Sequence, residues 1–380
     1  MKDRKLIFES GESFLGTGFG ANVDTVQEVV FNTSMVGYQE IFSDPSYYGQ
    51  MICMTYPLVG NYGLTDDDYE TKKPRIGGFI VREYNDRPSN YRYTKTLSDD
   101  LKEHNIPGIS GVDTRQITRM IRDRGSVRAL LTDPGTTLQR GLEIIKESPI
   151  IHDHVKQVSC SRLWYSRTSN FRYSVVIIDC GVKHNIVRSL IKRKCNVIIV
   201  PYDTSSDEIL GLRPDGVLLS NGPGDPEDND GVIKVIKKLQ GTLPIFGICL
   251  GHQLIALANG AKTFKMKFGH RGGNHPVREL RTNKVEMTSQ NHSYAVDMDS
   301  LKNTRLELTH INLLDNTAEG IEVNEDNIFS VQYHPESSPG PQDSAYLFDR
   351  FVSRIGEYKA KCELSGGQIT CQNVRTFTKS

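Results

Sequence analysis

The chain has no excess of either charge. Its 380 residues carry 46 Lys and Arg against 46 Asp and Glu. No basic stripe stands out either, so a nucleic-acid partner is not expected. No apolar run approaches the roughly 20 residues needed to cross a bilayer, so no helical membrane span is expected. The opening, MKDRKLIFES, has charge but no apolar h-region, and a secretory signal is not expected. None of the seven cysteines stands in a C-x-x-C pair, which disfavours zinc-ribbon and thioredoxin-like sites. Their odd number and irregular spacing fit free thiols in a reducing, cytoplasmic compartment. No Gly-Lys-Ser/Thr closes a glycine-rich loop, which excludes a P-loop.

What is present suits ordinary globular cores, with 37% hydrophobic residues and a length that predicts two domains. The spacing of apolar residues predicts a smaller mixed α/β domain over residues 1–150. It contains short alternating segments such as Glu28-Val29-Val30-Phe31, divided by Gly-rich and Pro-rich turns. One helix is announced by Asp113, with Gln116 placed to complete a capping box. Ile117, Met120 and Ile121 form its apolar stripe. Arg115, Arg119 and Arg122 lie on another face, read as solvated rather than as a partner surface. The run Gly16-Thr17-Gly18-Phe19-Gly20 is read as a turn, since no βαβ unit follows it. Residues 134–172 read as a connector carrying two surface histidines, His152 and His154.

From 173 to 358 short apolar runs alternate with helical patterns. Ser174–Ile178, Asn196–Val200, Gly216–Ser220 and Pro244–Ile248 are expected strands. Asn185–Lys194, Gly231–Leu239 and the segment ending at Asn259 are expected helices. This rhythm predicts a doubly wound α/β domain with a mixed or parallel sheet. Residues 359–380 are expected to be a loosely held tail.

Within that domain Gly247-Ile248-Cys249-Leu250-Gly251 is a G-x-C-x-G run between a strand and a helix, the thiol counterpart of a nucleophile elbow. Such a turn exposes the sulfur at a helix N-terminus, where the macrodipole favours negative charge. Gln253 lies one helical turn further on. His334, in Gln332-Tyr333-His334-Pro335-Glu336, follows an expected strand, and Glu336 stands two residues away to orient it. A cysteine nucleophile needs such a base, and the base needs such an orienter. Taken singly, each segment also reads blandly, as a structural cysteine or a turn histidine. Ser220-Asn221-Gly222-Pro223-Gly224-Asp225-Pro226 follows another strand, and its backbone N–H groups suit an oxyanion hole.

Together these segments resemble the class I glutamine amidotransferases, whose triad falls on Cys249, His334 and Glu336. The resemblance narrows to the small subunits of carbamoyl phosphate synthetase. It is carried by Met266 to Val277, by Gln290-Asn291-His292, by Pro335 to Pro341, and by N-terminal runs such as Phe31 to Met35, Gly37 to Glu40 and Gly111 to Arg115. It covers about Lys5 to Ile355. It implies that Ser46, Gly222, Gly224, Leu250, Gln253, Asn291, Ser293 and Tyr294 surround bound L-glutamine, with Lys183 close by. Where the family has Gly-Phe, this chain has Ser293-Tyr294, and a backbone needing positive φ at Ser293 would be strained. The resemblance further implies a glutaminase that passes ammonia to a separate large synthetase subunit, which makes carbamoyl phosphate from bicarbonate and ATP. It places no cofactor in this chain, with ATP and Mg on the large subunit. Two rivals stand beside it: an amidotransferase serving another synthase, disfavoured by the N-terminal half, and a non-catalytic scaffold, disfavoured by the intact Cys249, His334 and Glu336.

Overall fold

A computed structural model describes residues 2–364. The chain divides into two compact units. The first takes the residues up to His154 together with Met266–Gly273, and the second takes Val155–Lys265 and the chain from Asn274 onward.

In the first unit the strands Arg4–Phe8, Ser13–Gly20, Pro107–Ser110, Gly78–Ile80, Gln50–Met54, Thr25–Asn32 and Val127–Thr132 pair in that order and close into a barrel. Closure follows from Val127–Thr132 pairing back onto Arg4–Phe8, which leaves no edge strand to protect. Successive residues face opposite sides, so Val29 and Met51 enter one apolar cluster while Val30 and Ile52 enter another. The expected Gly16–Gly20 turn is a strand. Its glycines serve close approach, since a Cβ on Gly16 would lie 2.4 Å from the Ser110 carbonyl oxygen. The helix Thr114–Arg124 is capped by Asp113, whose carboxylate accepts the Gln116 N–H at 2.9 Å. Ile117 and Ile121 are buried, and Arg115, Arg119 and Arg122 are exposed.

Two further expectations change. Residues 134–172 are not a plain connector: Leu138–Glu147 is a helix capped by Thr137, and it packs Gly141 against Ile7. The segment Met266–Gly273 belongs with the first unit. There Phe268 lies 5.8 Å from Phe31, and the Lys267 carbonyl accepts the Ser126 N–H.

The second unit is a ten-stranded sheet. Its order is Trp164–Ser166, Cys195–Pro201, Tyr173–Asp179, Gly216–Leu219, Ile245–Ile248, Ile328–Val331, Ala318–Val323, Glu307–Asn312, Thr263–Glu279 and Val285–Val296. From Cys195–Pro201 to Ile328–Val331 all pairings are parallel, and Ala318–Val323 pairs antiparallel with Ile328–Val331 and Glu307–Asn312, as Glu307–Asn312 does with Thr263–Glu279. Both faces are covered: Val175 and Ile177 enter one core with the helices His184–Lys192 and Tyr346–Leu364, while Val176 and Ile178 enter the other with Asp230–Leu239 and Leu250–Ala258. Burial on both faces is why these strands read as unbroken apolar runs. The last helix reaches Leu364, so the expected tail begins inside it. The rest of that tail lies outside the described residues.

Phe246 anchors the central strand. It is fully buried, stacked on Phe329 at 4.4 Å and edge-on to Phe348 at 5.8 Å. Phe246→Ala should lower the unfolding free energy by about 3–5 kcal/mol in urea titration, and a loss under about 1 kcal/mol would contradict this packing.

Candidate active site

The C-terminal ends of the parallel strands are where open α/β sheets gather their functional groups. Here Asp179, Ser220, Cys249 and, three residues past its strand, His334 arrive at that end. Cys249 sits between strand Ile245–Ile248 and helix Leu250–Ala258 with φ 53° and ψ −102°, a strained turn for a residue with a side chain. The turn is tight enough to demand its glycines: a Cβ on Gly251 would stand 2.4 Å from the Leu219 carbonyl oxygen.

The first amides of a helix have no partner within it. Gly251 donates to the Ser220 carbonyl, and His252 and Gln253 donate to the Cys249 carbonyl. The Leu250 N–H has no partner among the described residues. Gly222 lies against the Leu250 side chain, because a Cβ there would sit 2.7 Å from Leu250 Cδ2 and 2.2 Å from the Cys180 carbonyl oxygen. The loop is braced from within: Ser220 Oγ accepts the Cys180 N–H, and Asn221 Oδ1 accepts the Lys183 N–H.

His334 Nδ1 is 2.7 Å from Glu336 Oε1, and Lys183 Nζ is 2.9 Å from the same oxygen. Lys183 Nζ also donates to the Ser337 carbonyl at 2.8 Å. All three side chains are buried. Burial and Lys183 oppose a positive charge on His334, but Glu336 and Cys249 outweigh them and push the imidazole up to about 10. Burial works against the Glu336 carboxylate as well, yet Lys183 and His334 hold it well below the usual range, at about 2. With Nδ1 bound to Glu336, His334 Nε2 is buried without a hydrogen-bond partner among the described residues.

The sulfur of Cys249 faces the Asn291 carbonyl oxygen at 3.6 Å and Gln332 Nε2 at 3.7 Å. Gln253, expected to line the pocket, donates through Nε2 to the Tyr294 carbonyl at 2.7 Å and to Gln332 Oε1 at 3.0 Å. Ser293 lies between Asn291 and Tyr294 in strand Val285–Val296 and is not among the residues with positive φ. The condition for strain there is not met, because an extended strand accepts any side chain. Gly224 does need its glycine conformation, with φ 86°. Ser46 stands in the first unit, in the turn Pro45–Tyr47, with its N–H donated to Asp44 Oδ1 at 2.9 Å.

Two residues escaped the sequence reading. Asp179 accepts the N–H groups of Gly181, Val182 and Cys160 at 2.8–2.9 Å, so it shapes the loop that leads to Lys183. An acidic residue ending an apolar strand two residues before a glycine was the available signal. Gln332 was read only as part of the strand before His334, and nothing in its spacing revealed that it reaches the sulfur.

A strained cysteine at the mouth of a parallel sheet, beside a histidine–carboxylate pair and the open amide of Leu250, is the arrangement of a class I glutamine amidotransferase. The family model described as glutamine amidotransferase class-I matches residues 176–354, and that of the carbamoyl-phosphate synthase small chain, CPSase domain, matches residues 6–131. A carbamoyl phosphate synthase small chain from Staphylococcus epidermidis is 53% identical over 95% of this chain and 98% of its own length. Its counterpart from Oceanobacillus iheyensis is 51% identical over 97% and 100%, and that from Fusobacterium nucleatum is 50% identical over 93% and 99%. The chain belongs to the family of carbamoyl phosphate synthase small chains.

The raised His334 makes a pH prediction. A folded value above the unfolded one, about 6.5, gives stability that is complete below that pH and lost as pH rises through the folded value. His334→Asn should therefore be less stable than the unsubstituted chain near neutral pH, and the gap should shrink as pH approaches about 10. Urea titrations across that range measure it; a gap that widens with pH would contradict the charged pair.

Proposed function

We propose that this chain hydrolyses L-glutamine through a thioester on Cys249 and delivers the ammonia to a large synthetase subunit. The observation that carries the reading is the Cys249 elbow, at φ 53°, facing a histidine whose other nitrogen is held by Glu336 at 2.7 Å. The Cys249 thiolate attacks the side-chain carbonyl carbon of glutamine. The N–H groups of Leu250 and Gly222 receive the oxyanion, and amides so placed need no reorganisation as the charge develops. His334 gives a proton to the departing ammonia from Nε2, then takes one from the water that hydrolyses the thioester to glutamate. Glu336 fixes the ring, and Lys183 fixes Glu336.

Within the second unit, Gly222, Gly224, Leu250, Gln253, Asn291, Ser293 and Tyr294 are the residues that would hold glutamine. Both N–H donors of the Gln253 amide are engaged by Tyr294 and Gln332. Its Oε1 is thus the atom available to accept from the substrate's ammonium group. The half-reaction uses this chain's own side chains and backbone amides together with water, and needs no cofactor here. Ammonia released into water would be protonated and lost as a nucleophile. It passes instead to the large subunit, which makes carbamoyl phosphate from bicarbonate with ATP and Mg, in the cytoplasm, for arginine and pyrimidine synthesis.

Cys249→Ser, assembled with the large subunit, should lose glutamine-dependent carbamoyl phosphate synthesis by about 10³-fold or more while ammonia-dependent synthesis stays within about twofold. Near-normal glutamine turnover by that variant would end the assignment. His334→Asn should lower kcat by roughly 10²–10⁴-fold, while calorimetric titration still registers glutamine binding. Equal loss of binding and turnover would mark His334 as structural.

A further inference from the structure

Gln332 is fully buried, and its side-chain amide ends at the sulfur. Which end of an amide faces which neighbour is settled by the hydrogen-bond partners, not by shape. The chain of partners starts at the Tyr294 carbonyl, which can only accept. It therefore takes the NH₂ end of Gln253, at 2.7 Å. The same nitrogen lies 3.0 Å from the Gln332 side chain, so Gln332 must present its oxygen there. Its own NH₂ is then turned toward Cys249 Sγ, at 3.7 Å. His292 Nδ1 also meets the Tyr294 carbonyl, at 2.7 Å, and the Gln332 N–H is held by the Glu319 carbonyl at 2.9 Å. With the Tyr294 carbonyl fixed as an acceptor, the Gln253 amide has one orientation, and the Gln332 amide follows it.

We infer that Gln332 is a further catalytic residue: its Nε2–H donates to the Cys249 sulfur, and the backbone carbonyl of Tyr294, acting through Gln253, imposes that polarity. The inference rests on Cys249 being the nucleophile. When the thioester forms, sulfur bonds to the side-chain carbon, the C–N bond breaks and ammonia leaves with a proton from His334. When it is hydrolysed, water oxygen bonds to that carbon, His334 takes the water proton and sulfur departs with the C–S electron pair. Sulfur is an anion before the first step and after the second, and a fixed donor lowers both states. The Asn291 carbonyl, at 3.6 Å, is an acceptor and can serve only the protonated thiol. Gln253 also offers its Oε1 to the substrate, so one relay joins the glutamine-binding amide to the reacting atom.

The test is the rate of alkylation of Cys249 by iodoacetamide in the full chain without glutamine, followed on the Cys249 peptide by mass spectrometry. Gln332→Glu keeps the acceptor for Gln253 but removes the donor to sulfur. It should slow alkylation at neutral pH by about tenfold or more, the effect of one weak hydrogen bond to a charged group. It should lower kcat at least as much, with KM for glutamine within about threefold. A merely structural role would move the melting temperature and KM and leave the alkylation rate alone. Gln253→Glu reports on the same relay should Gln332→Glu not fold. A carboxylate there can only accept, which turns the Gln332 amide over, and alkylation should again fall about tenfold although residue 253 does not touch the sulfur. Unchanged alkylation in a folded Gln332→Glu chain, or in Gln253→Glu where that one alone folds, overturns the inference. Glutamine turnover by Cys249→Ser would instead overturn the reading beneath it.

Discussion

The turn at Cys249 is the constraint on which the second unit depends. A side-chain-bearing residue at φ 53° costs of the order of 1–3 kcal/mol and persists only where its surroundings over-determine it. Three restraints do so here. The Cys249 N–H is bound by the Val331 carbonyl at 2.9 Å, so the neighbouring strand continues its pairing through the turn. The Gly251 N–H is bound by the Ser220 carbonyl, which ties the first turn of the helix to the strand on the other side. Phe246, wedged between Phe329 and Phe348, keeps the central strand from yielding. The elbow is thus held from the strand before it and from both neighbouring strands.

Its partner group is costly in a different way. Lys183, Glu336 and His334 are three ionisable side chains taken out of water together. Burying charges is tolerable only when each is paired and hydrogen-bonded. The arrangement meets that condition by giving Glu336 Oε1 two cationic partners and giving Lys183 the Ser337 carbonyl as well. Glu336 Oε2 and His334 Nε2 stay buried without hydrogen-bond partners among the described residues. Unsatisfied buried atoms are rare enough to need an explanation. At His334 the proposed chemistry would supply the explanation, since a nitrogen that exchanges protons with a substrate must not be occupied by the protein.

Much of this was legible in the sequence, for physical reasons. The parallel strands are buried on both faces, so Ser174–Ile178 and Pro244–Ile248 stand out as apolar runs. The elbow needs Gly-x-Cys-x-Gly because backbone approaches at Gly251 exclude a Cβ. Asp113 and its helix were readable because a cap acts within one turn. What was missed depends on long-range closure. Gly16–Gly20 resembles a turn until Ser110 arrives against it. Met266–Gly273 joins the first unit through Phe268 and Lys267, a pairing across more than a hundred residues that no local pattern records. The helix Leu138–Glu147 was missed although Leu138, Leu142 and Ile145 stand at helical spacing; one of its buried positions is Gly141, which has no side chain of its own and makes the contact with Ile7. Gln332 was visible as a residue but not as a donor, since the direction of an amide is set by partners elsewhere in the fold.

That last point bears on how the site can be specific and reactive at once. A glutamine pocket needs amides to recognise a molecule that is itself an amide, and a thiolate needs donors. Free amides can turn over, and a pocket full of them would have no fixed pattern of donors and acceptors. A backbone carbonyl removes that freedom because it has no second identity. The Tyr294 carbonyl sits in a strand whose own side chains are bonded inward, with His292 Nε2 at 2.9 Å from Gln290 Oε1 and Gln290 Nε2 at 3.0 Å from Glu319 Oε2. Glu319 accepts from Asn312 Nδ2 in turn, at 2.9 Å. The polar interior behind the elbow is therefore a connected network, and networks of this kind rigidify the groups they hold. The relay is anchored by the backbone of residue 294 and not by its side chain, so it does not depend on which side chain stands there.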